Sequence, residues 1–82
     1  MRYPPMPDFR MHIVNEDFQA SDEFEAADAE TARRKALNSA LDIGLDEVLK
    51  GKKLFAAEVK VEGDGQPAKR FIATVGASPL IG

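Results

Sequence analysis

The chain has 82 residues, of which 44% are hydrophobic and 30% charged, and its formal net charge is -3 at pH 7. This length fits a single domain with a thin core, and it excludes a deep substrate cavity between two lobes. The composition excludes disorder throughout, and the negative charge disfavours general nucleic-acid binding, because contacts to phosphate dominate that affinity.

The chain opens with a proline-rich segment that is followed by an alternating one. Residues 1–8 contain Pro4, Pro5 and Pro7, which prevent a helix and predict a flexible leader. Residues 9–14 then alternate between two faces, which predicts a half-buried strand. Its inward residues are Phe9, Met11 and Ile13.

A second, weaker strand is predicted over residues 23–26, with Phe24 as its apolar anchor. Asn15, Glu16 and Asp17 supply turn-forming side chains after the first strand. The two strands are therefore expected to form a hairpin whose loop covers residues 15–22.

The next segment has the pattern of an amphipathic helix. Asp28 is a candidate N-cap, because its carboxylate can accept hydrogen bonds from the first free backbone N–H groups. Glu30 follows in the first turn, where the helix dipole favours a negative charge. Apolar residues then recur at spacings of three and four, which predicts a buried stripe. The stripe consists of Ala29, Ala36, Leu37, Ala40, Leu41, Gly44 and Val48.

Gly44 leaves two structures open for the second half of this helix. In one, the helix is continuous and the glycine allows it to approach the sheet closely. In the other, Gly44 caps the helix and residues 45–50 form a separate short helix. In both cases Gly51 is expected to end the helical segment.

Two further alternating segments predict a second hairpin. Residues 54–62 and 69–75 are predicted strands, and residues 63–67 between them are rich in turn-forming types. The inward residues of these strands are Phe55, Ala57, Val59, Val61, Phe71, Ala73 and Val75. Residues 77–82 are predicted to form a frayed tail, although Leu80 and Ile81 could instead dock on the domain.

The order of elements predicts one α+β domain over residues 9–76. Two hairpins separated by a helix give a ββαββ fold, in which a four-stranded, mainly antiparallel sheet packs one helix on one face. The other face is then exposed, and it is the candidate interaction face for a protein partner or a second copy. This face is expected to carry Arg10, His12, Val14, Glu58, Lys60, Arg70, Ile72 and Thr74.

The sequence contains no recognised catalytic, metal or cofactor motif, so we expect a non-enzymatic protein without cofactor or metal. His12 is the only histidine, and a hydrolytic triad would need it beside a serine such as Ser21, Ser39 or Ser78. Asp42 and Asp46 stand four residues apart on the helix and could hold a hard cation. A solvated helix face explains these two carboxylates without a metal.

Nucleic acid is an alternative partner. Arg10, Lys60, Lys69 and Arg70 could form a basic patch if the strands align as predicted. Sheets that read RNA combine such charges with stacking aromatic residues. Because the predicted register turns the strand phenylalanines inward, the sequence disfavours this alternative.

Residues 23–37, EFEAADAETARRKAL, resemble the middle of a widespread family of small bacterial domains of unknown function. Helices of that family begin with a pattern like Asp-x-Glu-x-Ala-Arg, and four residues occupy its positions here: Asp28, Glu30, Ala32 and Arg33. The resemblance covers about residues 9–76, and it implies the same order of elements and a bacterial setting, but no catalytic residues. Ala27 departs from the proline that members often have there.

The sequence thus predicts a small interaction domain, with self-association in a homodimer as one form of it. An antitoxin-like regulatory domain is the alternative, because small α+β antitoxins resemble the hairpin-then-helix beginning. The chain has no cysteine, which is typical of a cytoplasmic protein, and no apolar run long enough to span a membrane.

Overall fold

A computed structural model describes residues 6–81. Within these residues, one antiparallel sheet has the strand order β2-β1-β3-β4, and a single helix packs on one of its faces. This arrangement confirms the predicted α+β fold with ββαββ order; most of the predicted leader, residues 1–5, lies outside the described residues. The elements are β1 (Asp8–Val14), β2 (Gln19–Glu25), α1 (Ala29–Leu49), β3 (Leu54–Gly63) and β4 (Gln66–Gly76).

The first hairpin has a shorter loop and a longer second strand than predicted. β2 begins at Gln19 rather than at residue 23, and it ends at Glu25. The side-chain oxygen of Asn15 accepts hydrogen bonds from the backbone N–H groups of Asp17 (2.8 Å) and Phe18 (3.1 Å), which closes a tight turn. β2 is exposed except at Phe24, the residue that anchored the prediction, so its first residues lack the alternation that marks the other strands.

The core lies between α1 and the inner face of β1, β3 and β4. The predicted inward residues of β3 are all buried, and those of β4 are buried or half-buried. Phe9 and Ile13 of β1 join them, and Met11 packs at the margin. Phe18, which the sequence did not single out, stacks on Phe55 with ring centroids 6.4 Å apart.

The buried face of α1 is rotated from the predicted stripe. The helix buries Ala32, Ala36, Ala40 and Gly44 at four-residue steps. The prediction omitted Ala32, and it placed Leu41 in the core, where the structure leaves that side chain 41% exposed. These small residues let the helix lie close to the sheet, and Leu41 and Leu45 lie on the exposed flank of the helix.

At Gly44 the helix lies close against the sheet. A Cβ atom at this position would lie 2.5 Å from Cδ1 of Phe55 and 2.8 Å from Cγ2 of Val75. The helix runs through Gly44 without a break and ends at Leu49. The continuous-helix alternative is therefore correct, and Gly51 follows the end with φ of 118°, a value that favours glycine.

The ends of the remaining elements follow ordinary capping and turn chemistry. The Asp28 carboxylate accepts from the backbone N–H of Thr31 at 2.8 Å, which confirms the predicted N-cap. The turn between β3 and β4 places Asp64 and Gly65 at φ of 53° and 65°. Leu80 and Ile81 are 99% and 90% exposed, so the alternative in which they dock on the domain is wrong.

Candidate interaction surface

The face of the sheet opposite α1, here called the outer face, gathers all eight residues of the predicted interaction face. The strand register explains this, because residues paired across antiparallel strands point to the same side. His12 pairs with Lys60, and Lys60 pairs with Arg70. In the next row, Val14 pairs with Glu58, which pairs with Ile72. Arg10 lies on the same face of β1, two residues before His12, and Thr74 lies on the same face of β4, two residues after Ile72.

One end of the outer face is charged, and its charges are paired with one another. Arg10 forms an ion pair with Glu23, and Nε of Arg70 lies 3.4 Å from Oε1 of Glu58. Nζ of Lys60 lies 4.0 Å from Oε2 of Glu62. These exposed pairs contribute little stability each, but they balance the charge of this end and favour the observed register.

His12 joins three strands at the charged end. Its Nδ1 lies 2.9 Å from Oγ of Ser21 on β2, and its Nε2 lies 3.1 Å from Oε1 of Glu62 on β3. The hydrogen bond from His12 holds the pKa of Glu62 below its ordinary value, and the nearby charge of Lys60 acts in the same direction. Of the three serines considered with His12, Ser21 is the one that contacts it.

Ser21, His12 and Glu62 thus form a hydrogen-bonded line with the composition of a hydrolytic triad. A working triad also needs a substrate cleft and backbone donors placed to stabilise an oxyanion. Here Ser21 is exposed on an edge strand, and its backbone belongs to the ladder opposite His12. On this flat surface the line acts as a cross-strand contact that fixes the register.

The other end of the outer face is apolar and is here called the apolar end. It consists of Val14, Leu54, Ala56, Ile72 and Thr74, all of them exposed. Val14, Leu54 and Ile72 are 42%, 60% and 71% exposed. A shallow groove runs between them, bordered by Asn15 and Lys52. Leu54 and Ala56 were not assigned to this face from the sequence. They alternate with the inward Phe55 and Ala57, so that alternation could have identified them.

The carboxylates considered as a cation site are engaged elsewhere or stand apart. Oδ2 of Asp46 lies 2.8 Å from Nζ of Lys50 in an exposed ion pair. Within residues 6–81, no group of three or more His, Cys, Asp or Glu side chains is placed to hold a metal ion.

No protein-family model, curated protein or solved structure matches this chain. The likeness of residues 23–37 to a family of small bacterial domains therefore stays a prediction. Among the described residues, no helix is long and apolar enough to cross a membrane.

Proposed function

We propose that this protein is a small non-enzymatic interaction domain that binds another protein through its outer face. The observation that carries the proposal is the apolar end, where the exposed side chains of Val14, Leu54 and Ile72 line one shallow groove. Glu58 lies between Val14 and Ile72, and exposed apolar side chains that are bordered by charged residues are typical of protein-binding sites. The charged end would then fix the orientation of the partner, since charge complementarity sets specificity and encounter rate.

The same surface offers less to the alternative partners. The bases Arg10 and Arg70 are each paired with a carboxylate, so little net positive charge is left for a phosphate backbone. Within residues 6–81 the outer face carries no aromatic side chain: four phenylalanines point inward, and the fifth, Phe18, packs against the core. A regulatory role of the antitoxin type would require a protein partner and is compatible with this surface.

The enzyme alternative depends on the line of Ser21, His12 and Glu62, and its geometry supports structure better than catalysis. Burial and a shaped cleft are what raise the reactivity of such groups, and all three side chains lie on an open surface. The bacterial, cytoplasmic setting is part of the proposal and depends on the resemblance and on the absence of cysteine.

The proposal is tested by placing a charge in the apolar end. Val14→Lys puts an ammonium group between Gln19 and Glu58, where it disrupts an apolar interface but can pair with Glu58 in the free protein. In lysates of cells that express the chain naturally, the wild type should elute in an assembly larger than its 9.0 kDa mass. Val14→Lys should elute later.

Asn38→Lys is the matched control, because it adds the same charge at an exposed position on the helix, on the opposite side of the sheet. It should leave the elution of the assembly unchanged. If Val14→Lys eluted together with the wild type, binding through the outer face would be refuted.

A further inference from the structure

We propose that a second copy of this chain pairs with the free edge of β4, in antiparallel register about a two-fold axis at Ala73. The two sheets would join into one sheet of eight strands, with both helices on the same side. This inference rests on the proposed function, since both assign the protein to protein contacts, but it concerns a different surface. The joined outer faces would also bring the two apolar ends together.

The free edge of β4 presents a regular set of unpaired backbone groups. Among residues 6–81, β4 ends the sheet and pairs with β3 alone. The N–H of Ala77 donates to the carbonyl of Lys53 at 3.0 Å, so odd-numbered residues of this ladder direct their backbone groups toward β3. The N–H and C=O groups of Arg70, Ile72 and Thr74 therefore point outward, as a partner strand requires.

The two edges of the sheet differ in charge, and only β4 suits pairing with itself. The other edge, β2, carries Asp22, Glu23 and Glu25 within seven residues, so two copies of it would bring carboxylates together. Such charges are a common protection of edge strands. Residues 71–76 of β4 contain no charged residue, and their β-branched and aromatic members favour strand pairing.

A two-fold axis at Ala73 gives complementary neighbours on both faces. On the helix side, Phe71 would oppose Val75 of the second copy, which is a favourable aromatic and β-branched pair. On the outer side, Ile72 would oppose Thr74. Arg70 would oppose Gly76, so the register avoids direct contact between the basic residues of the two copies.

The helix carries a row of leucines beside this same edge. Arg33 lies near Pro67 and Lys69 of β4, whereas Nζ of Lys35 bonds to the carbonyl of Glu25 on the side of β2. Residues at four-residue steps after Arg33 therefore continue along the β4 flank and wind gradually away from the sheet. They are Leu37, Leu41 and Leu45, of which the last two are 41% and 50% exposed.

The same axis brings the leucine rows of the two copies face to face. Gly44 lies over Val75, and rises of about 1.5 Å per helical residue and about 3.3 Å per strand residue place Leu41 near the level of Ala73. In the antiparallel dimer, Leu41 then faces Leu41 of the second copy, and Leu37 faces Leu45 of the second copy. A row of leucines on the exposed flank thus gains an apolar neighbour.

Disulfide trapping tests both the edge and the register, because the chain contains no cysteine of its own. Ile72→Cys and Thr74→Cys are purified separately, mixed and oxidised mildly. Opposed Cα atoms in a hydrogen-bonded pair are about 5.5 Å apart, within disulfide range, so the mixture should form a covalent dimer. Each variant alone should form much less, since like positions would be roughly 8 Å apart across the strands.

Ala56→Cys mixed with Thr74→Cys is the matched control, because Ala56 is exposed on the same face but one strand away from the edge. Equal trapping in this control, or no trapping in the first mixture, would overturn the proposed pairing. Far-ultraviolet circular dichroism verifies that each variant is folded.

A second variant reports on the helix flank without cysteine. Leu41→Lys places charges face to face across the axis and should raise the dimer dissociation constant at least tenfold, whereas Asn38→Lys should leave it unchanged. The outcomes separate the two proposals. If no disulfide forms but Val14→Lys still reduces the size of the native assembly, the edge dimer alone is overturned. If the disulfide forms but Val14→Lys has no effect on the native assembly, the outer-face function alone is overturned.

Discussion

At the scale of single residues, the packing of the helix on the sheet depends on a position that has no side chain. Gly44 lets the helix lie against Phe55 and Val75, and a Cβ atom there would come within 2.5 Å of the Phe55 ring. Gly44→Ala should therefore destabilise the protein by about 1–3 kcal/mol through overpacking, although alanine favours the helix by up to about 1 kcal/mol.

Urea unfolding measures this difference, and Asn38→Ala is the control, as an exposed position on the same helix. The control should change the free energy of unfolding by no more than about 0.5 kcal/mol. A Gly44→Ala variant more stable than the wild type would mean that the helix does not approach the sheet as described.

Substitutions at His12 and at its neighbour Ser21 test whether the contacts of His12 are structural or catalytic. Since it makes two side-chain hydrogen bonds on the surface, His12→Ala should cost about 0.5–1.5 kcal/mol and leave the fold intact. Hydrolysis of p-nitrophenyl acetate should be slow in the wild type and unaffected by Ser21→Ala. A burst of acetylation that Ser21→Ala abolishes would instead identify a nucleophile and contradict the non-enzymatic account.

At the scale of elements, the helix start depends on Asp28, whose pKa lies below its ordinary value of 3.8 because the carboxylate accepts the backbone N–H of Thr31. Asp28→Ala should cost about 1 kcal/mol, while Asp28→Ser retains a capping oxygen and most of the stability. Since the folded-state pKa is lowered, the stabilisation is present above the unfolded-state value and is lost as the pH falls through the folded-state value.

The urea midpoint of the wild type should accordingly fall between about pH 5 and about pH 3. Glu30 and Glu62 add to this fall, because hydrogen bonds from Arg33 and His12 lower their pKa values. Asp28→Ala should show a smaller fall than the wild type. An equal or larger fall in the variant would show that the cap carboxylate is not responsible.

Elements were predictable from the sequence where one face is buried. β1, β3 and β4 alternate, so the inward residues of the last two could be assigned from sequence alone. β2 reads QASDEFE and is exposed except at Phe24. Nothing in the pattern of its first residues marks where pairing begins. The predicted buried face of the helix differs from the observed one because the apolar pattern gave weight to Leu41. The observed face consists of small residues such as Ala32, which let the helix lie close to the sheet.

At the scale of the whole molecule, the order of strands in the sheet decides which surfaces are free. That strand order could not be predicted from the sequence. The eight outer-face residues could be grouped by alternation alone. That β4 is an edge of the sheet follows only from the topology. A helix that buries alanines and leaves Leu41 and Leu45 exposed on its flank is an arrangement that association with another chain would stabilise.

The most direct test of this account is the solution mass of the purified chain, measured by light scattering across a wide concentration series. Because dimerisation depends on protomer concentration, the mass should rise with concentration from 9.0 kDa to a plateau at twice that value. Leu41→Lys should shift the rise to higher concentration. A mass that stays at 9.0 kDa throughout would contradict self-association through β4.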